Sequence, residues 1–90
     1  MTVAQIIDRT RAYIVENFLY MRPDYRLGEA DSLLERGIID SMGVMELVAF
    51  IESEFGVAVQ DDDVTEENIG TLRAIGAYVA SRVRPDAMVA

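Results

Sequence analysis

Apolar side chains recur every three or four residues in three separate stretches of the chain, and this spacing most constrains what it can fold into. Val3, Ile6, Ile7, Thr10, Ile14 and Phe18 fall on one helical face; so do Val44, Leu47, Val48, Ile51 and Phe55, and so do Leu72, Ile75, Val79 and Val83. Three amphipathic helices follow. Thr2 suits the N-cap of the first, which should run roughly from Thr2 to Leu19, with Pro23 and Gly28 preventing continuation. Asp40 or Ser41 caps the second, which Gly56 ends. Thr71 caps the last, and Pro85 closes it.

The connections have different patterns. Val57 to Val59 suit an extended connector, and Asp61 to Asn68 a short helix with Val64 and Ile69 facing inward. Met21 to Asp40 has no sustained period, and loops of about twenty residues are uncommon in small domains unless they are functional. Leu27, Leu33, Leu34, Ile38 and Ile39 are too many to leave in water, so this loop is expected to stay ordered across the bundle and tuck several of them into the core. Gly37 supplies backbone freedom there. The expectation is an all-α, four-helix bundle with three long helices, one short helix and a long ordered loop after the first. One domain spans residues 1–84, with a flexible tail at 85–90.

A domain of 90 residues buries only about 60 to 65% of its unfolded surface, which leaves room for one core. The absence of Cys and His removes disulfides, thiolate metal sites and the commonest general base. The N-terminus has no basic region followed by an apolar run. The longest apolar stretch, Val44 to Ile51, is broken by Glu46 and falls far short of the ~20 residues of a membrane span, so a cytoplasmic protein is expected.

Charge is unevenly placed. Residues 1–30 are neutral overall and residues 71–90 carry +2, whereas residues 31–70 hold eleven acidic residues against Arg36, a net of −10 within a total of −8. That field repels nucleic acid and anionic membrane and attracts basic protein surfaces; simple solubilisation is the alternative reading. Met42, Met45 and Ala49 lie off the core stripe of the second helix beside Glu46 and Glu52, suiting either peripheral packing or a docking surface.

Several chemistries fail on the residues present. A calcium loop starting at Asp61 needs Gly at its sixth position and Glu at its twelfth, and finds Glu66 and Leu72. The Asp61 to Asp63 run then suits a solvated helix start. A nucleophile elbow around Ser41 and Gly43 has Ile39 where its first glycine belongs, and no histidine to activate the hydroxyl. No catalytic residue, metal site or phosphate-binding glycine loop emerges, and Ser41 on these grounds alone is either a helix cap or a modified residue.

The run Gly37-Ile38-Ile39-Asp40-Ser41-Met42, continuing through Val44-Met45-Glu46-Leu47-Val48 to Glu54-Phe55-Gly56-Val57, resembles the acyl carrier protein family, where a D-S-L or D-S-M triplet opens the second helix. The resemblance covers nearly the whole layout and implies a bundle of the acyl-carrier type. It implies that Ser41 receives 4'-phosphopantetheine from a transferase using coenzyme A and magnesium, with Asp40 part of what the transferase recognises. Met42, Met45, Glu46, Ala49 and Glu52 would meet basic surfaces on acyl or aminoacyl ligases, synthases and transferases. The implied protein is a monomeric, non-enzymatic carrier of a thioester-bound acyl or aminoacyl group. Gly43 and Ala49 depart from fatty-acid carriers, where those positions are often acidic and larger, respectively; the run looks more like stand-alone carriers with a dedicated ligase, including aminoacyl and D-alanyl carriers. The alternative is an unmodified acidic helical interaction module, with Met42 and Met45 as its docking patch.

Overall fold

Thr2 and Gln5 start the first helix by capping each other. The Thr2 hydroxyl accepts the Gln5 N–H at 3.1 Å, and the Gln5 side-chain carbonyl accepts the Thr2 N–H at 2.8 Å. In this computed structural model, which describes residues 1–83, α1 spans Val3–Phe18 and ends at Leu19, whose N–H is shared between the Ile14 and Val15 carbonyls. Ile6, Ile7 and Ile14 are buried, as is Thr10, whose hydroxyl donates to the Ile6 carbonyl at 2.8 Å and so costs little in the core.

α2 spans Ser41–Phe55 and closes on Gly56, which takes the left-handed conformation (φ 68°) that favours glycine. Leu47, Val48 and Ile51 are buried, while Val44 and Phe55, at the two ends of the stripe, are half-buried. α1 and α2 run antiparallel: Arg9 pairs with Glu54 at 2.9 Å, Tyr13 stacks on Phe50 at 4.1 Å, and Phe18 lies against Gly43. A Cβ at Gly43 would sit 3.1 Å from the Phe18 ring and 3.2 Å from Ile39. Glycine at this position lets the end of α1 approach the first turn of α2.

The long loop is ordered as expected. Its main chain is stitched to the far side of the bundle, with Leu33 N–H donating to the Gly70 carbonyl at 2.9 Å and Arg73 N–H donating to Glu29 at 3.0 Å. Leu27, Leu33, Ile38 and Ile39 are buried, and Gly37 has φ 68°. Leu34 is the one of the five left outside, 46% exposed. The turn in which Arg36 N–H bonds to Ser32 and Gly37 N–H to Leu34 sends Leu33 into the core and its neighbour outward.

The short third element is divided. A 3-10 turn at Asp61–Asp63 is followed by α3, Glu66–Ile69, because Thr65 is extended and caps α3 through Asn68 N–H. Val64 is half-buried and Ile69 buried. Thr71 caps α4, Leu72–Arg82, in which Leu72, Ile75 and Val79 are buried and Val83 closes the helix half-buried. Pro85 and the tail expected at 85–90 lie outside the described residues. α4 packs on α1 at Gly76, where a Cβ would come within 2.9 Å of Ile7 and Val3. The described residues form four α-helices and no strand, and no helix among them is long and apolar enough to cross a membrane.

Asp63 corrects the picture of a wholly solvated acidic run. Its carboxylate accepts the Tyr78 hydroxyl at 2.8 Å and the Arg82 guanidinium at 2.9 Å, tying the 3-10 turn to α4. Asp63→Ala should lower unfolding free energy by about 1 to 2 kcal/mol in urea titrations, with Asp61→Ala and Asp62→Ala, both at exposed positions, within about 0.5 kcal/mol of wild type. Burial first, and then the Asp63 hydrogen bond, hold the Tyr78 pKa above its ordinary 10.0. Folded Tyr78 therefore keeps its proton where the unfolded chain releases it, so this contribution is present below pH 10 and is lost as pH rises above it. Tyr78→Phe should flatten part of the alkaline decline in melting temperature.

Candidate functional site

Asp and Ser are both good helix-capping residues, so residues 40 and 41 compete for one position. The backbone decides between them. Asp40 is extended (φ −104°, ψ −175°), its carboxylate accepts the Gly43 N–H at 2.8 Å, and its carbonyl accepts the Val44 N–H at 3.0 Å. Asp40 is the cap, and Ser41 is the first residue inside the helix.

Ser41 is exposed, and among the described residues its hydroxyl is held by no hydrogen bond. Around it lie the main-chain N–H groups of the first helical turn, which have no acceptor within the helix and present the positive end of its dipole. A hydroxyl placed there is open to a modifying enzyme, and a phosphodiester formed on it would sit in a favourable field. The residues thus suit covalent attachment of a phosphate-linked group. Among the described residues no base is hydrogen-bonded to that oxygen, and the chain has no histidine.

The expected docking residues all lie on the exposed part of α2. Met45, Ala49 and Glu52 follow Ser41 at helical intervals, with Met42 and Glu46 alongside; Met42 is 79% exposed and Met45 59%. Two of these residues also have structural contacts. Glu52 accepts the Val59 N–H at 3.0 Å, fastening the connector after Gly56, and the Glu46 carbonyl accepts the Tyr13 hydroxyl at 3.4 Å. Burial and the Glu46 charge both raise the Tyr13 pKa, which keeps that phenol neutral.

Two depressions flank the first turn of α2. One is an open groove on the α1 side, floored by Phe18, Ile38, Ile39 and Gly43 and edged by Leu34, Met42, Asp40 and Glu46. The other is an apolar cavity of about 80 Å³ between the loop, α2 and α3, lined by Leu33, Ile39, Val44, Val64 and Ile69. Leu34 borders both. Among the described residues no cluster of three or more acidic groups is arranged to hold a metal ion.

Comparison with known proteins gives the family. The family model for the phosphopantetheine attachment site matches residues 14–79, from the second half of α1 through most of α4. The chain is 38% identical over 72 residues to the acyl carrier protein of Zymomonas mobilis, a match covering 80% of this chain and 87% of that protein. It is 40% identical over 52 residues to the D-alanyl carrier protein of Abiotrophia defectiva, covering 58% of this chain and 66% of that protein. With Ser41 and its cap inside the matched span and the helical order intact around them, the chain belongs to the acyl carrier protein family, whose shared feature is a phosphopantetheine attachment site.

Proposed function

We propose that Ser41 is the attachment point and that the chain carries an acyl or aminoacyl group as a thioester between partner enzymes. The observation that carries this reading is the division of labour at the start of α2: Asp40 makes the cap, leaving an exposed Ser41 hydroxyl with no structural task. Attachment forms a bond from Ser41 Oγ to the phosphorus of coenzyme A and breaks its pyrophosphate link, releasing adenosine 3',5'-bisphosphate while the transferase takes the serine proton. The bound arm supplies the thiol that a chain without cysteine lacks.

The aminoacyl side of this reading is supported by the likeness to a D-alanyl carrier protein, and the acyl side by the likeness to an acyl carrier protein. Met42, Met45, Glu46, Ala49 and Glu52 then present an apolar and acidic face to ligases with basic docking surfaces.

Intact-mass measurement after incubation with coenzyme A, magnesium and a phosphopantetheinyl transferase tests the reading. Wild type should gain one arm, Ser41→Ala none, and Ser32→Ala, Ser53→Ala and Ser81→Ala one each; an unmodified wild type would favour the acidic interaction module instead. Stability separates the same residues: Asp40→Ala should cost about 1 kcal/mol and Ser41→Ala less than about 0.5 kcal/mol in chemical denaturation. For loading, Glu46→Lys should slow the cognate ligase severalfold with an unchanged unfolding midpoint. Glu52→Gln, which keeps an acceptor for Val59, isolates the charge of Glu52 from its structural bond.

A further inference from the structure

All eight basic residues of this chain are arginines; it has no lysine, no histidine and no cysteine. Three of the arginines use the shape of the guanidinium. Arg11 divides its donors between the Leu27 carbonyl and Asp8, both at 3.3 Å, and Arg22 and Arg82 lie over the Tyr25 and Tyr78 rings at 4.7 and 5.0 Å. Arg36 does not. Its side chain is 61% exposed and its guanidinium stands 3.7 Å from Asp31, too far for a hydrogen bond, so a lysine would serve this loose pair as well. Leu34 and Gly37, which bracket Arg36, border the open groove that also takes in Asp40 and Met42, the two neighbours of Ser41. Arg36 is also the one cation between residues 31 and 70.

The chemistry of the cargo gives this choice a consequence. A neutral amine attacks a thioester: its nitrogen bonds to the acyl carbon, the C–S bond breaks, the sulfur leaves as thiolate, and the proton lost by nitrogen goes to that sulfur or to water. The product is an amide, and the acyl group is no longer available to a partner enzyme. A lysine within the sweep of the arm would be such an amine, held at the high local concentration that a tether imposes. Arginine stays protonated and offers no free lone pair. The hydroxyls of the chain have no histidine to activate them. We infer that the side chains of this protein are chemically inert toward its own thioester, and that position 36 is where this matters: arginine there keeps a positive charge beside the arm without presenting an amine. This inference rests on Ser41 being the attachment point. The α-amine of Met1 stands at the far end of α1, a helix about 24 Å long whose other end, at Phe18, meets Gly43.

Transfer of an acetylated arm from acetyl-coenzyme A, by a purified phosphopantetheinyl transferase with magnesium, tests this without a ligase. Each loaded protein is freed of small molecules and held at about pH 9, where a few per cent of ordinary lysine side chains are neutral. Hydroxylamine then cleaves the thioester and spares any amide; intact mass reads the acetyl group that remains, and peptide mapping places it. Wild type should keep acetyl only at the background level of its Met1 amine. Arg36→Lys should keep at least about fivefold more, at the substituted residue and at a rate independent of protein concentration. Arg9→Lys, beside Glu54 at the far end of α2, should stay within about twofold of wild type. Arg36→Lys combined with Ser41→Ala should keep none above background, and a thermal melt of each variant confirms the fold. Retention in Arg36→Lys at the wild-type level, or in Arg9→Lys equal to that of Arg36→Lys, overturns the inference while leaving the Ser41 assignment intact. A wild type that takes no arm removes the Ser41 assignment and the inference with it.

Discussion

The hydrogen bond from the Gly43 N–H to the Asp40 carboxylate, 2.8 Å long, sets where α2 begins and leaves Ser41 as its first residue. A helix start needs an acceptor for its first unpaired N–H groups. If Ser41 supplied it, the hydroxyl would be consumed by the fold and α2 would begin one residue later. With Asp40 in that role, Ser41 moves inside the first turn, exposed and chemically free.

The packing keeps that turn in place. Glycine at position 43 lets Phe18 approach within contact distance, the Tyr13–Phe50 stack and the Arg9–Glu54 pair align the rest of α1 with α2, and Gly76 brings α4 against α1. The loop before Asp40 is anchored at Leu33 and Glu29 by main-chain bonds to Gly70 and Arg73, so the residues leading into the cap are fixed from the opposite side of the bundle. Several acids of the middle segment help hold the fold: Asp40 caps α2, Glu52 fastens Val59, Glu54 pairs with Arg9, and Asp63 is clamped by Tyr78 and Arg82.

Much of this was legible in the sequence. Periodicity located three long helices, and Thr2, Gly56 and Thr71 marked boundaries the structure reproduces, because a cap or a left-handed terminus is a local requirement met by few residue types. The choice between Asp40 and Ser41 was not legible: two good capping residues stood side by side, and only backbone angles distinguish them. Which of the loop's five apolar residues would stay outside was not legible, because hydrophobicity reports a preference for burial and, in a segment without period, says nothing of direction; it is Leu34. Asp63 looked like one of three solvated acids, since its partners lie 15 and 19 residues further on. The break at Val64 and Thr65 was hidden by a composition equally compatible with one short helix.

The central claim is that the Ser41 hydroxyl, which we propose as the attachment point, has no part in holding the fold. Comparing the melting temperature of the protein before and after it receives the arm tests this most directly. The account predicts equal or slightly higher stability afterwards, because the cap on Asp40 is untouched and a phosphate at the start of α2 meets the favourable end of its dipole. A drop of about 4 °C or more, the size expected for a loss of roughly 1 kcal/mol in a domain of this length, would contradict it and return Ser41 to a structural role.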